Sequence, residues 1–120
     1  MVKQISNPEE FKKIIAEDEF VVVDFFTTWC GPCRMIAPFF KELSEKENLK
    51  GATFLKVEAD SREMQSIAEE YQVSSFPTFL FFFRGSVVGD IIGADKNKLE
   101  KTIKESLETI NSLKNSNANE

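Results

Sequence analysis

The chain has two cysteines, and both fall in one six-residue stretch, Trp29-Cys30-Gly31-Pro32-Cys33-Arg34. An apolar run, Phe20-Val21-Val22-Val23-Asp24-Phe25-Phe26, precedes it, and a segment with helical periodicity, Cys33 to about Lys46, follows. A strand that delivers a Cys-x-x-Cys to the mouth of a helix is the arrangement of a dithiol redox site. No other feature ties strand, helix and chemistry together so tightly.

The spacing itself dictates the chemistry. Residues three apart on a helix share a face, with Cβ atoms roughly 5–6 Å apart. A disulfide needs about 3.5–4.5 Å between Cβ atoms, so a small adjustment of the first turn closes the ring. A ring that small should open more readily than a relaxed structural bridge. Cys30 falls at the helix N-terminus, where unpaired N–H groups and the helix dipole stabilise a thiolate, so it is the expected nucleophile. Cys33, one turn in, is expected to be better buried and to remain a thiol until it resolves a mixed disulfide. Gly31 lets a partner chain come close, and Pro32 suits a first helical turn because it lacks an N–H that would go unpaired.

Other uses of the pair fit less well. Structural zinc takes four Cys or His ligands, and the chain has two Cys and no His. Attachment of c-type haem needs His after the second Cys, where Arg34 stands. An inert bridge over so short a loop would stabilise little.

At 120 residues the chain makes one domain with a real core, and twelve Phe supply much of its volume. The net charge is −5 with no basic cluster, which argues against nucleic acid as a partner. The opening Met1-Val2-Lys3-Gln4-Ile5-Ser6 carries no apolar signal region, and the longest apolar runs are far too short to span a membrane. A soluble, cytoplasmic protein of a reducing compartment is expected.

Along the chain, Val2 to Ile5 predicts a short strand, and Asn7-Pro8-Glu9-Glu10 opens a helix with Phe11, Ile14 and Ile15 inward. Phe20 to Phe26 lacks alternation, as a strand covered on both faces would. The next helix should carry Met35, Ile36, Phe39, Phe40 and Leu43 inward and be kinked by Pro38. Ala52 to Ala59 predicts a strand, and Asp60 or Ser61 caps a helix bearing Met64, Ile67, Ala68 and Tyr71. Phe76-Pro77-Thr78 starts a strand to about Phe83. Arg84-Gly85-Ser86 turns it, and Val87 to Ile92 returns antiparallel. Gly93-Ala94-Asp95 leads into a last helix with Leu99, Ile103, Leu107 and Ile110 inward. Residues 1–110 thus form the domain, and the polar stretch 111–120 is expected to be a disordered tail. The order β-α-β-α-β-α-β-β-α predicts an α/β fold, a mixed sheet with helices on both faces.

Trp29-Cys30-Gly31-Pro32-Cys33 after Val23-Asp24-Phe25, with Pro38 beyond and Phe76-Pro77-Thr78 later, resembles the thioredoxin family over roughly residues 1 to 110. The resemblance implies a five-stranded mixed sheet flanked by four helices and an activity that reduces protein disulfides. It also implies no bound cofactor: the chain would be recycled by thioredoxin reductase, whose flavin draws on NADPH. Implied targets are disulfide-containing proteins such as peroxiredoxins, ribonucleotide reductase and methionine sulfoxide reductase, met by a monomer. Cys30 matches the family's attacking cysteine and Cys33 its resolving one. Asp24 matches the buried acid; its pKa should be raised, which suits a general base toward Cys33. Lys56 matches the lysine that approaches this acid from the neighbouring strand. Pro77 matches the family's cis-proline, and Trp29, Gly31, Pro32, Phe76 and Gly93 the contact patch around the sulfur. Phe26 stands where many members have Trp, Arg34 replaces the more frequent Lys, and Ser75-Phe76 precede the proline where smaller or aliphatic residues are usual. Two other functions remain open at this point. One is a non-enzymatic binding subunit on the same fold; the other is an isomerase or oxidant of an oxidising compartment, against which the Gly-Pro pair argues.

Overall fold

The computed structural model describes residues 1–118. Five strands, β1 (Val2–Gln4), β2 (Phe20–Phe26), β3 (Thr53–Glu58), β4 (Thr78–Phe83) and β5 (Ser86–Ile92), form one sheet in the order β1-β3-β2-β4-β5. The β1–β3 and β2–β3 pairs are parallel, and β2–β4 and β4–β5 are antiparallel. Four helices, α1 (Pro8–Glu17), α2 (Gly31–Ser44), α3 (Gln65–Glu70) and α4 (Lys96–Ala118), complete the fold, with a single 3-10 turn at Glu47–Leu49. The mixed sheet and its four helices are those expected from the sequence.

β2 holds the centre because every one of its residues through Phe25 is buried. Its side chains alternate between two cores. Val21, Val23 and Phe25 pack with Phe11 and Ile15 of α1 and Ile67 of α3 on one face. Phe20 and Val22 pack with Ile36, Phe40 and Leu43 of α2 and with Leu99, Ile103 and Leu107 of α4 on the other. The same alternation places Asp24 on the α2 face.

Local chemistry sets the helix ends. Asn7 Oδ1 accepts from the N–H groups of Glu9 and Glu10 at 2.8 and 3.1 Å, and Pro8 follows it. Ser61, not Asp60, stops the chain before α3: its Oγ accepts from Met64 N–H at 3.1 Å and its carbonyl from Gln65 N–H at 2.9 Å. A turn intervenes, so α3 proper begins at Gln65.

Two expectations need correction. Met35 is 73 % exposed rather than inward. Cys33, Ile36, Phe40 and Leu43 define the buried face of α2, and at about 100° per residue Met35 falls well outside that arc. The expected polar tail also continues as helix, because α4 runs to Ala118. Its last turns have anchors far away in sequence. Lys114 pairs with Glu19 at 2.7 Å, and Leu113 lines a groove with Phe20, Phe83 and Val88. Polar composition carries no trace of such contacts. Residues 119 and 120 of that expected tail lie outside the described residues.

Candidate active site

The loop from β2 to α2 is four residues long and sets both sulfurs at the start of the helix. Cys30 is the N-cap of α2 and Cys33 lies in its first turn, two residues after Gly31. Their Cα atoms are 5.3 Å apart and the sulfurs are joined as a disulfide. The Cys33 N–H donates to Cys30 Sγ at 3.2 Å, so a helix-terminal donor faces that sulfur. Cys30 and Cys33 are almost equally buried, at 6 % and 4 % exposure, where the sequence led us to expect a clearer difference.

The peptide between Phe76 and Pro77 is cis. Cys30 Sγ lies 3.6 Å from the Phe76 carbonyl oxygen, which brings the start of β4 against the sulfur pair. The Pro77 carbonyl accepts from Gly93 N–H at 2.8 Å. Gly93 has φ +106°, a conformation that glycine adopts without strain, and this lets the end of β5 fold over Pro77. Around this junction Trp29 is 68 % exposed. Its indole Nε1–H donates to Asp60 Oδ2 at 3.0 Å, and its ring meets Phe76 edge to face at 6.3 Å. A Cβ placed at Gly31 would meet nothing within 4 Å, and Pro32 is exposed beside it. Trp29, Gly31, Pro32, Phe76, Pro77 and Gly93 therefore frame one end of the sheet, with Pro77 buried beneath.

Behind the sulfurs sits Asp24, 3 % exposed. A cavity of about 230 Å³ is lined by Asp24, Cys33, Thr27, Arg34 and Lys56, among others. Burial pushes the Asp24 carboxyl up to about 7, against the opposing pull of the Lys56 charge. Lys56 is the register partner of Asp24 on β3, and its ammonium lies 5.7 Å from the centre of the Phe26 ring. Asp24 Oδ1 finds no hydrogen-bond partner among the described residues.

Three contributors escaped the sequence reading. Asp60, one of two candidate helix caps, instead accepts from the Trp29 indole. Arg34 Nη1 donates to the Thr28 carbonyl at 2.8 Å and braces the loop. Thr27 is exposed to only 1 %, and its hydroxyl has no partner among the described residues. No local pattern marks the first two, since each of their bonds closes across a chain reversal.

A sheet that hands a Cys-x-x-Cys to a helix N-terminus, with a cis X-Pro peptide against the sulfur, defines a thiol–disulfide oxidoreductase. The family model described as Thioredoxin matches residues 2–105. Thioredoxin from Homo sapiens is 50% identical over 107 residues, covering 88% of this chain and 98% of that one. Thioredoxin-1 from Schizosaccharomyces pombe is 46% identical over 107 residues, covering 89% of this chain and 100% of that one. Among solved structures, Malassezia sympodialis thioredoxin superposes with a TM-score of 0.81 at 39% identity, covering 87% of this chain and 91% of that one. The chain belongs to the thioredoxin family. It is a protein-disulfide reductase, working between thioredoxin reductase and disulfide-bearing proteins, and the binding-subunit alternative is not favoured.

Proposed function

We propose that the two sulfurs divide the reaction as their positions on α2 suggest. The Cys30 thiolate attacks one sulfur of a target disulfide. A Cys30–target bond forms, the target's S–S bond breaks, and the leaving sulfur takes a proton. Cys33 then gives its proton to the Asp24 carboxylate and attacks Cys30. The Cys30–Cys33 bond forms as the Cys30–target bond breaks, and the second target sulfur leaves as a thiolate. The target gains two electrons and the chain is left oxidised.

The observation that carries this reading is the Cys30–Cys33 pair at the helix mouth with a buried acid sharing the cavity behind Cys33. The Cys33 N–H and the helix N-terminus lower the cost of a Cys30 thiolate. An acid pushed up to about 7 accepts a proton near neutral pH without holding it too tightly. Lys56 restrains that shift and keeps a fraction of the carboxyl ionised. Trp29, Gly31, Pro32, Phe76, Pro77 and Gly93 dock an extended target segment, for which the open space over Gly31 leaves room.

Finer assignments are part of the same proposal, and likeness to the family supports them. We take the chain to be a cytoplasmic monomer that serves electron transport with no cofactor of its own. NADPH and flavin act through the reductase, and peroxiredoxins, ribonucleotide reductase and methionine sulfoxide reductase are the targets. No helix among the described residues is long and apolar enough to cross a membrane.

Insulin reduction followed by turbidity, with dithiothreitol as electron source, tests the division of roles. Cys30→Ser should abolish the acceleration. Cys33→Ser should accumulate covalent adducts with targets on a non-reducing gel. Activity surviving in Cys30→Ser, or no adduct with Cys33→Ser, would refute it.

A further inference from the structure

A second, larger hollow, of about 710 Å³, lies between α2 and strands β1 to β3. Small-molecule sites commonly fall between about 300 and 1,000 Å³. Arg34, Ala37, Pro38 and Lys41 of α2 line it, and their spacing puts them on one face of the helix. Val2 of β1 and Lys56 of β3 line the opposite side.

The charge of this hollow runs against that of the chain. The protein carries −5, yet three side-chain cations, Arg34, Lys41 and Lys56, meet here. Among the described residues none of the three forms an ion pair, whereas other lysines do, as in Lys46–Glu100 and Lys114–Glu19. Arg34 spends only Nη1, on the Thr28 carbonyl at 2.8 Å. Two carboxyls reach the hollow, Glu45 just past α2 and Asp24 of β2. Glu45 offsets one charge, and Asp24 stays mostly neutral below about 7. The balance is positive, and cations gathered on one concave surface draw an anion. A bare inorganic anion would leave Val2, Ala37 and Pro38 unused. An anion with an apolar body uses both.

We propose that this hollow binds a small organic acid: its carboxylate sits among Arg34, Lys41 and Lys56, and its apolar body, the size of one or two rings, lies against Val2, Ala37 and Pro38. The binding stands apart from the role of Asp24 toward Cys33. It does reach the ionisation of Asp24, because a second negative charge nearby disfavours the carboxylate. The charged and titratable groups around Asp24 are Lys56 from β3, Cys33, Arg34 and Lys41 from α2, Glu45 beyond it and Met1 ahead of β1.

The probe is 2-naphthoate, titrated into the full-length oxidised protein and followed by amide NMR shifts. The expected dissociation constant is about millimolar, as suits so small a ligand. The largest shifts should fall at Val2, Ala37, Lys41 and Lys56. 2-Naphthamide, the same shape without the charge, should bind about tenfold more weakly, and added salt should weaken only the acid. Lys41→Gln should cost the acid about threefold in affinity and leave insulin reduction unchanged, and Lys41→Arg should restore it. Saturating 2-naphthoate should raise the Asp24 carboxyl midpoint by about half a unit, which is about threefold in the ionised fraction. Equal binding of the amide would overturn the proposal, and so would shifts centred elsewhere or absent at 10-fold the expected constant. Inorganic phosphate displacing the acid at equal concentration would remove the apolar half of the site and overturn it too. An Asp24 midpoint that stays put in the saturated protein would place the anion away from the three cations, with the same result.

Discussion

A carboxyl set between Val23 and Phe25 and 3 % exposed folds most readily as the neutral acid. Its proton is therefore linked to stability. Below about pH 4 the folded and unfolded chains both carry it, and the linkage contributes nothing unfavourable. Between about pH 4 and pH 7 the unfolded chain has released the proton and the folded chain has kept it, so stability falls as pH rises. Above the folded-state value of about 7 the loss levels off, at about 4 kcal/mol. Asp24→Asn should abolish that slope and make the protein more stable than the parent at pH 8, by up to the same amount, while slowing resolution. Urea denaturation across this range checks it, and an equally steep slope in the variant would refute the linkage. The burial of Asp24 was legible in the sequence because it stands inside a run of six apolar residues, Phe20 to Val23 and Phe25-Phe26. Thr27 was not, because nothing nearby says whether a β-branched residue beyond a strand turns inward.

Helices were legible where their ends are written in short-range chemistry. Asn7-Pro8 marks the start of α1, and the structure places both bonds of the cap there. Asn7→Ala should cost about 1 kcal/mol of stability, read as a lower urea midpoint at unchanged slope. A loss near zero would mean that the core contacts of Phe11 and Ile15 alone hold the helix start. The extent of α4 was not legible, since its last turns depend on Glu19 and Phe83, which lie 95 and 30 positions before Lys114 and Leu113. Met35 was misplaced because a run of apolar residues is wider than the arc that one sheet face can cover. Its exposure near the Cys end of α2 adds an apolar side chain to that end of the surface.

At the level of the whole molecule, one aromatic side chain couples the redox helix to the sheet. Phe40 on α2 packs against Phe54 of β3 at 5.3 Å and Phe79 of β4 at 5.4 Å. Phe40→Ala should cost about 3–5 kcal/mol in urea denaturation. A cost under about 1 kcal/mol would show that the core collapses around the gap. The mixed sheet was legible from element order, because helical crossovers join parallel strands and a tight turn pairs its strands antiparallel; the order β1-β3-β2-β4-β5 was not, since handedness alone leaves open which strand β4 joins. The lone tryptophan of the chain stands exposed in the loop that carries the sulfurs. Its emission is thus a private optical channel from one spot on the molecule. With excitation at the red edge, where Tyr71 does not absorb, bond opening and partner arrival can both be watched there in real time on the unlabelled protein.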